Sequence, residues 1–173
     1  MKENYLKEEK KELFECLYNK YHSMVIQVCL GYVQGDTQDA NDLSQEIFIR
    51  IWNNLDSFRE ESSYKTWIYR ITVNSCLHFV KKQNREQYNL VSEIPNMEGN
   101  IETIIEKEEK VKMLYSAIGK LNEVERILII LVLENQSHQD IALIMGMSSV
   151  NVRVRIHRVK KRLEKIIKTK NHE

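Results

Sequence analysis

The chain has 173 residues and a hydrophobic content of 42%, enough for one ordinary domain or two small ones with real cores. Five glycines, one proline and helical apolar spacing nearly throughout point to an all-α protein. The formal net charge of +1 identifies no partner, and three cysteines without a CxxC pair argue against a disulfide framework and for buried, reduced thiols. No signal peptide, lipidation motif or long apolar span is present, so a soluble, cytoplasmic protein is expected.

Residues 1–11 are charged and expected to fray. From about residue 11 to residue 32, Leu13, Phe14, Leu17, Tyr21, Met24, Val25 and Val28 mark an amphipathic helix, and Gly31 and Gly35 bracket its exit. Asp36 or Thr37 can start the next helix, with Asp39 near its positive end. That helix contains DANDLSQEIFIRIW, residues 39–52. Leu43, Ile47 and Ile51, with Trp52 able to join them, are expected to pack inward. Asp42, Gln45, Glu46 and Ile49 share another face, which suits a protein partner presenting arginine; a solvated acidic surface is the plainer alternative.

A polar loop over residues 53–65 ends in a cap. The helix after it, about 63–82, has Tyr64, Trp67, Ile68 and Ile71 as its expected core stripe, with polar reach from Arg70, Asn74, Lys81, Lys82 and nearby Arg85. Rings beside cations suit a single-stranded nucleic-acid platform. Tyr64 and Trp67 fall on the buried stripe, however, which favours a structural role.

Residues 86–105 carry four glutamates and no lysine or arginine, with Pro95 and Gly99 among them. They read as an acidic tether between two helical domains, 1–85 and 106–173. A helix follows over about 103–118, with Ile104, Ile105, Glu108, Val111, Leu114, Tyr115 and Ile118 on one face, and Gly119 ends it. Asn122 and Glu125 can cap the next, whose core is Val124, Ile127, Leu128, Leu131 and Val132.

Residues 137–163, SHQDIALIMGMSSVNVRVRIHRVKKRL, read as a helix-turn-helix. Ser137 and Asp140 start the first helix, Gly146 turns the chain and Ser148 caps the second. Val152, Ile156, Val159 and Leu163 form an apolar back, and the other faces carry Asn151 and a run of arginine and lysine. From Arg153 to Lys170 nine cations accompany one acid, Glu164, a footprint for a polyanion. Such a helix fits the major groove, although an ordinary helical pair with a solvated basic face has the same charge. The five histidines lack metal-ligand spacing, and no phosphate loop or nucleophile elbow occurs, so no cofactor, metal, small-molecule substrate or catalysis is expected.

Three segments together resemble the extracytoplasmic-function (ECF) sigma factors of bacterial RNA polymerase. DANDLSQEIFIRIW is similar to the family's DAEDLxQExFxxxW helix, and FREESSYKTWIYRITVNSCLHFVKKQNR to its loop and TWLYRIAxN helix. The helix-turn-helix is similar to SYxEIAxxLGISxGTVKSRLHRARxxL. The resemblance implies docking of core polymerase, at the β′ clamp helices and the β flap, with Asp39, Asp42, Gln45, Glu46 and Ile49 on the clamp-helix face. It implies minus-ten recognition and melting by Arg59, Ser62, Ser63, Lys65, Arg70, Asn74, Lys81, Lys82 and Arg85, with Asn74 the best single candidate. It implies minus-thirty-five recognition by Ser148, Ser149, Val150, Asn151, Arg153, Val154, Arg155, His157, Arg158 and Lys161. A monomer when free, bound by an anti-sigma factor that can hold it at the inner membrane, is also implied. A stand-alone helix-turn-helix regulator is the alternative, and it leaves the first two segments unexplained. The chain departs from the family pattern at Asn41 in place of an acid, at Asn122 in place of proline, and at Val150, Asn151 and Val154 in place of Gly, Thr and Ser.

Overall fold

Seven helices make up most of the described residues, 2–83 and 101–170, of this computed structural model. They are α1 (Lys2–Tyr32), α2 (Thr37–Asn54), α3 (Tyr64–Gln83), α4 (Ile101–Gly119), α5 (Glu123–Leu133), α6 (His138–Met145) and α7 (Ser149–Lys170), with a 3-10 turn at Leu55–Ser57 after α2. Residues 2–11, expected to fray, extend α1. α4 begins at Ile101, so residues 101–105 of the expected tether are helical. The rest of the tether and Arg85 lie outside the described residues.

The helices start where side chains can accept an orphan N–H. Asp36 accepts from Asp39 at 2.9 Å and Ser63 from Thr66 at 3.2 Å. Asn122 and Glu125 form a reciprocal capping box, so the residue standing in for the family's proline supplies a cap instead. Ser137 accepts from the Asp140 amide at 3.1 Å, and Ser148 from that of Asn151 at 3.3 Å. Each such cap contributes about 1 kcal/mol. Gly146 closes α6 with φ of 64°, a left-handed conformation that costs glycine little.

α1, α2 and α3 bury Leu17, Val25, Val28, Leu43, Ile47, Phe48, Ile51, Ile68 and Val73 among themselves. α5 joins this core to the rest of the chain. Its run ILIILVL is apolar on every side, and such a helix is covered from more than one direction: Ile127–Leu131 are buried, and Leu133 at its end stands exposed. Ile127, Leu128, Ile130 and Leu131 belong to the core shared with α1 and α3. Ile129 turns the other way, toward Ala117, Ile118, Leu121, Val159 and Leu163. Burying each of these aliphatic side chains is worth about 1.5–3 kcal/mol.

The seam between the two halves is close and partly polar. A Cβ on Gly31 would lie 3.0 Å from the Ile130 side chain, and one on Gly35, at φ of 90°, would lie 2.9 Å from the Tyr115 ring. Arg126 donates to the Tyr32 carbonyl at 3.0 Å and to the Gly119 carbonyl at 2.9 Å, its guanidinium 5.4 Å from the Tyr32 ring centroid. One cation thus serves the negative ends of both α1 and α4.

Several expected inward positions differ. On α3 only Ile68 of the predicted stripe is fully buried; Tyr69, Thr72, Val73 and Cys76 are buried with it, while Tyr64, Trp67 and Ile71 are half-buried. The stripe shifts because α3 is gripped from two sides, by α1 and α2 and by α5 and α6. Trp52 is exposed beside α1 rather than packed inward. Val111, expected on the packed face of α4, is exposed. Cys16 is exposed, whereas Cys29 and Cys76 meet in the core, where burial holds the Cys76 thiol well above its ordinary pKa and unreactive. No helix among the described residues is long and apolar enough to cross a membrane.

Candidate protein-docking and nucleic-acid interfaces

α2 presents the first surface. Its buried positions Leu43, Ile47 and Ile51 turn Asp42, Gln45, Glu46 and Ile49 outward together. Ile49 is 59% exposed, an aliphatic side chain standing among carboxylates, and Asp39 is half-buried in the first turn. Glu46 pairs with Arg50 one turn on. An aromatic ridge flanks this face. Phe14 meets Trp52 edge-on at 5.2 Å, Tyr18 lies 4.6 Å from Phe48, and Lys10 sits over the Trp52 ring. Tyr18 and Trp52 remain partly exposed, so the surface extends onto α1. Sequence reasoning missed both residues, although Trp52 follows Ile49 by three and belongs on its face.

The second surface lies where the loop enters α3. Phe58 stacks on Tyr64 at 4.3 Å and lies 5.2 Å from Trp67, so the three half-buried rings pack on one another rather than splaying outward. Arg59, Ser63 and Lys65 are exposed and Ser62 is half-buried, with Ser63 occupied as the cap of α3. Asn74 is exposed at the rim of a recess of about 250 Å³, which Arg50, Asn54, Ser57, Trp67, Ile71 and Ser75 also line. The buried Ser75 hydroxyl has no partner there. Amides, a guanidinium and an indole are the groups that hold an unstacked base.

α3 is not wholly free. Arg70 donates to the Leu143 carbonyl of α6 at 2.9 Å. Gln136 donates to the Glu134 carbonyl at 2.7 Å, and Lys65 lies near Glu134, whose carboxyl burial pushes above its ordinary value. Lys81 and Lys82 continue α3.

The third surface is α7. Val152, Ile156, Val159 and Leu163 are buried as their spacing predicts. Ser149, Val150, Asn151, Arg153, Val154, Arg155, His157, Arg158 and Lys161 are all exposed, and the exposed Ser148 spends its hydroxyl on the cap. Arg162 pairs with Glu125 at 2.9 Å and Lys168 with Glu164 at 2.6 Å, while Arg153, Arg155, Arg158, Lys160, Lys161 and Lys165 stand exposed along the helix.

Profiles of two families match the chain: Sigma-70 region 2 over residues 17–86 and Sigma-70, region 4 over residues 112–163. The chain is 31% identical over 163 residues to an ECF RNA polymerase sigma-E factor of Escherichia coli (strain K12), covering 87% of this chain and 84% of that protein. The corresponding factor of Haemophilus influenzae is 29% identical over 167 residues, covering 89% and 87%. In overall fold the chain is similar to the sigma factor RpoE of Bartonella quintana, solved with the anti-sigma factor NepR, with a TM-score of 0.69 at 24% identity over 94% of this chain and 98% of that one. It is also similar to CnrH, solved with the cytosolic domain of CnrY, with a TM-score of 0.68 at 20% identity over 92% and 90%.

Proposed function

The chain belongs to the extracytoplasmic-function sigma factors of bacterial RNA polymerase, and from that premise we propose how its three surfaces divide the selection and opening of a promoter. The α2 face, with Asp42, Gln45 and Glu46 around Ile49 and Asp39 at its start, docks the β′ clamp helices, while the C-terminal helices reach the β flap. Carboxylates steer a basic partner and an exposed aliphatic anchors it. The loop before α3, with Arg59, Ser62, Ser63 and Lys65, and α3 itself, with Arg70, Asn74, Lys81 and Lys82, engage the minus-ten element, as does Arg85 beyond them. A base leaving the duplex there enters the recess rimmed by Asn74, and no nucleotide hydrolysis is needed. The front of α7 reads the minus-thirty-five element as duplex, with Asn151 and Arg153 on base edges and Arg155, Arg158 and Lys161 on the backbone.

The observation that carries this reading is one chain exposing an acidic, apolar-centred face on α2 and a cationic face on α7. Elements about 25 base pairs apart lie about 85 Å apart along the duplex, so the two readers must separate and the α3–α6 contact must open on the promoter. A cognate anti-sigma protein is the partner we assign to the closed arrangement, and the solved complex of the Bartonella quintana factor motivates that assignment.

Run-off transcription with purified core polymerase and genomic fragments tests the reading. Initiation at defined sites is expected only when the chain is added. Sequence-specific binding without initiation would replace the proposal with a stand-alone regulator.

A further inference from the structure

The front of α7 carries an apolar pair that the fold does not use. With about 100° between successive residues, Val150 and Val154 stand opposite the stripe that Val152, Ile156, Val159 and Leu163 bury. They are 68% and 43% exposed and lie on adjacent turns. β-branched residues are poor helix formers, and at this exposure the pair gains little from burial. Asn151, Arg153, Arg155 and Arg158 around them are exposed as well, so the patch is apolar at its centre and cationic at its margin. That arrangement fits a polyanion that also offers a small apolar group.

Duplex DNA has such a group in the major groove: the C5-methyl of thymine. The second helix of a helix-turn-helix meets base edges with its N-terminal turns, where both valines sit. Valine can neither donate to guanine or adenine acceptors nor accept from amino groups, so those base edges would lose water to it and gain no bond in return. We propose that Val150 and Val154 are specificity determinants that read thymine methyls in the upstream promoter element. This inference rests on the assignment of α7 as a duplex reader. Side chains one helical turn apart are about 6 Å apart and base pairs about 3.4 Å apart, so the two methyls should belong to base pairs one or two steps apart.

The test uses holoenzyme assembled from core polymerase and the full chain. Its preferred upstream element is first selected from randomised duplex, and thymines on either strand, one or two steps apart, are expected. Each thymine is then replaced by deoxyuridine, which deletes the methyl and leaves the hydrogen-bonding edge unchanged. A threefold to tenfold loss of affinity is expected at those two positions. It should vanish in Val150→Ser/Val154→Ser, a variant whose circular dichroism should be unchanged because both positions are exposed and serine and valine have similar helix propensities. Specific binding that is indifferent to deoxyuridine at every position would overturn the inference and leave α7 a duplex reader. Absence of any sequence preference would remove both. Weaker binding of the double variant to core polymerase without DNA would reassign the pair to a protein contact and overturn the inference.

Discussion

The two helices assigned to promoter DNA stand in opposite condition. α7 is held from behind by its own buried stripe, and its front is bare from Ser149 to Lys161. α3 is buried on two sides, and Arg70, one of its expected DNA contacts, is already bonded to the backbone of α6. A helix backed by one core presents the same face whatever else moves. A helix gripped from two sides presents a face that depends on whether its neighbour stays. Under the proposed roles, α7 is accessible to duplex in the closed arrangement, and the α3 surface is completed only when α6 leaves it.

Charge reversal at Asp42→Lys with Glu46→Lys should weaken core-polymerase binding a hundredfold or more, about 3 kcal/mol, with duplex binding through α7 unchanged. Titration of labelled chain with core enzyme measures it, and retained affinity would move the docking surface elsewhere. Next comes the cation that joins the halves. Arg126→Ala should lower unfolding stability by about 2–3 kcal/mol in urea, because two helix-end carbonyls lose a charged donor. Arg126→Lys should recover less than half, since one ammonium cannot reproduce the guanidinium fork.

Gly35→Ala should cost about 1–2 kcal/mol, through its left-handed backbone and the Tyr115 ring beside it. The melting temperature checks it. Arg70→Ala should cost about 1 kcal/mol and speed hydrogen exchange in α6 while leaving α7 protected; equal exchange in both would erase the difference between the two helices. The smallest effect is Glu134. Burial raises its folded pKa, and Lys65 opposes the shift without cancelling it. Stability from this group is present below the ordinary carboxylate value and lost as pH rises through the raised one. Glu134→Gln should flatten that part of the pH–stability curve, measured by denaturant melts across it.

Much of the candidate site was legible locally. Asp42, Gln45, Glu46 and Ile49 share one face of any helix, and Ser137, Gly146 and Ser148 can be read as cap, turn and cap wherever they occur. The shifted stripe of α3 was not legible, because periodicity tells that a side is apolar and not how many neighbours will cover it. The clue available was α5, whose run apolar on all sides asks for partners on both flanks. Trp52 looked like a core residue by type and became a surface residue by position, held against Phe14.

The helices, their caps, the bare front of α7 and the acidic face of α2 follow from local sequence, because each depends on residues within two turns of one another. Packing of the whole chain set which halves α5 serves, and brought Arg70 to a carbonyl 73 residues away and Arg126 to one 94 residues away. The physical reason is range. Helix period and capping act between neighbours along the chain, whereas the partner of a buried face or a long cation is chosen by which helices pack, and that choice is made by the whole core at once.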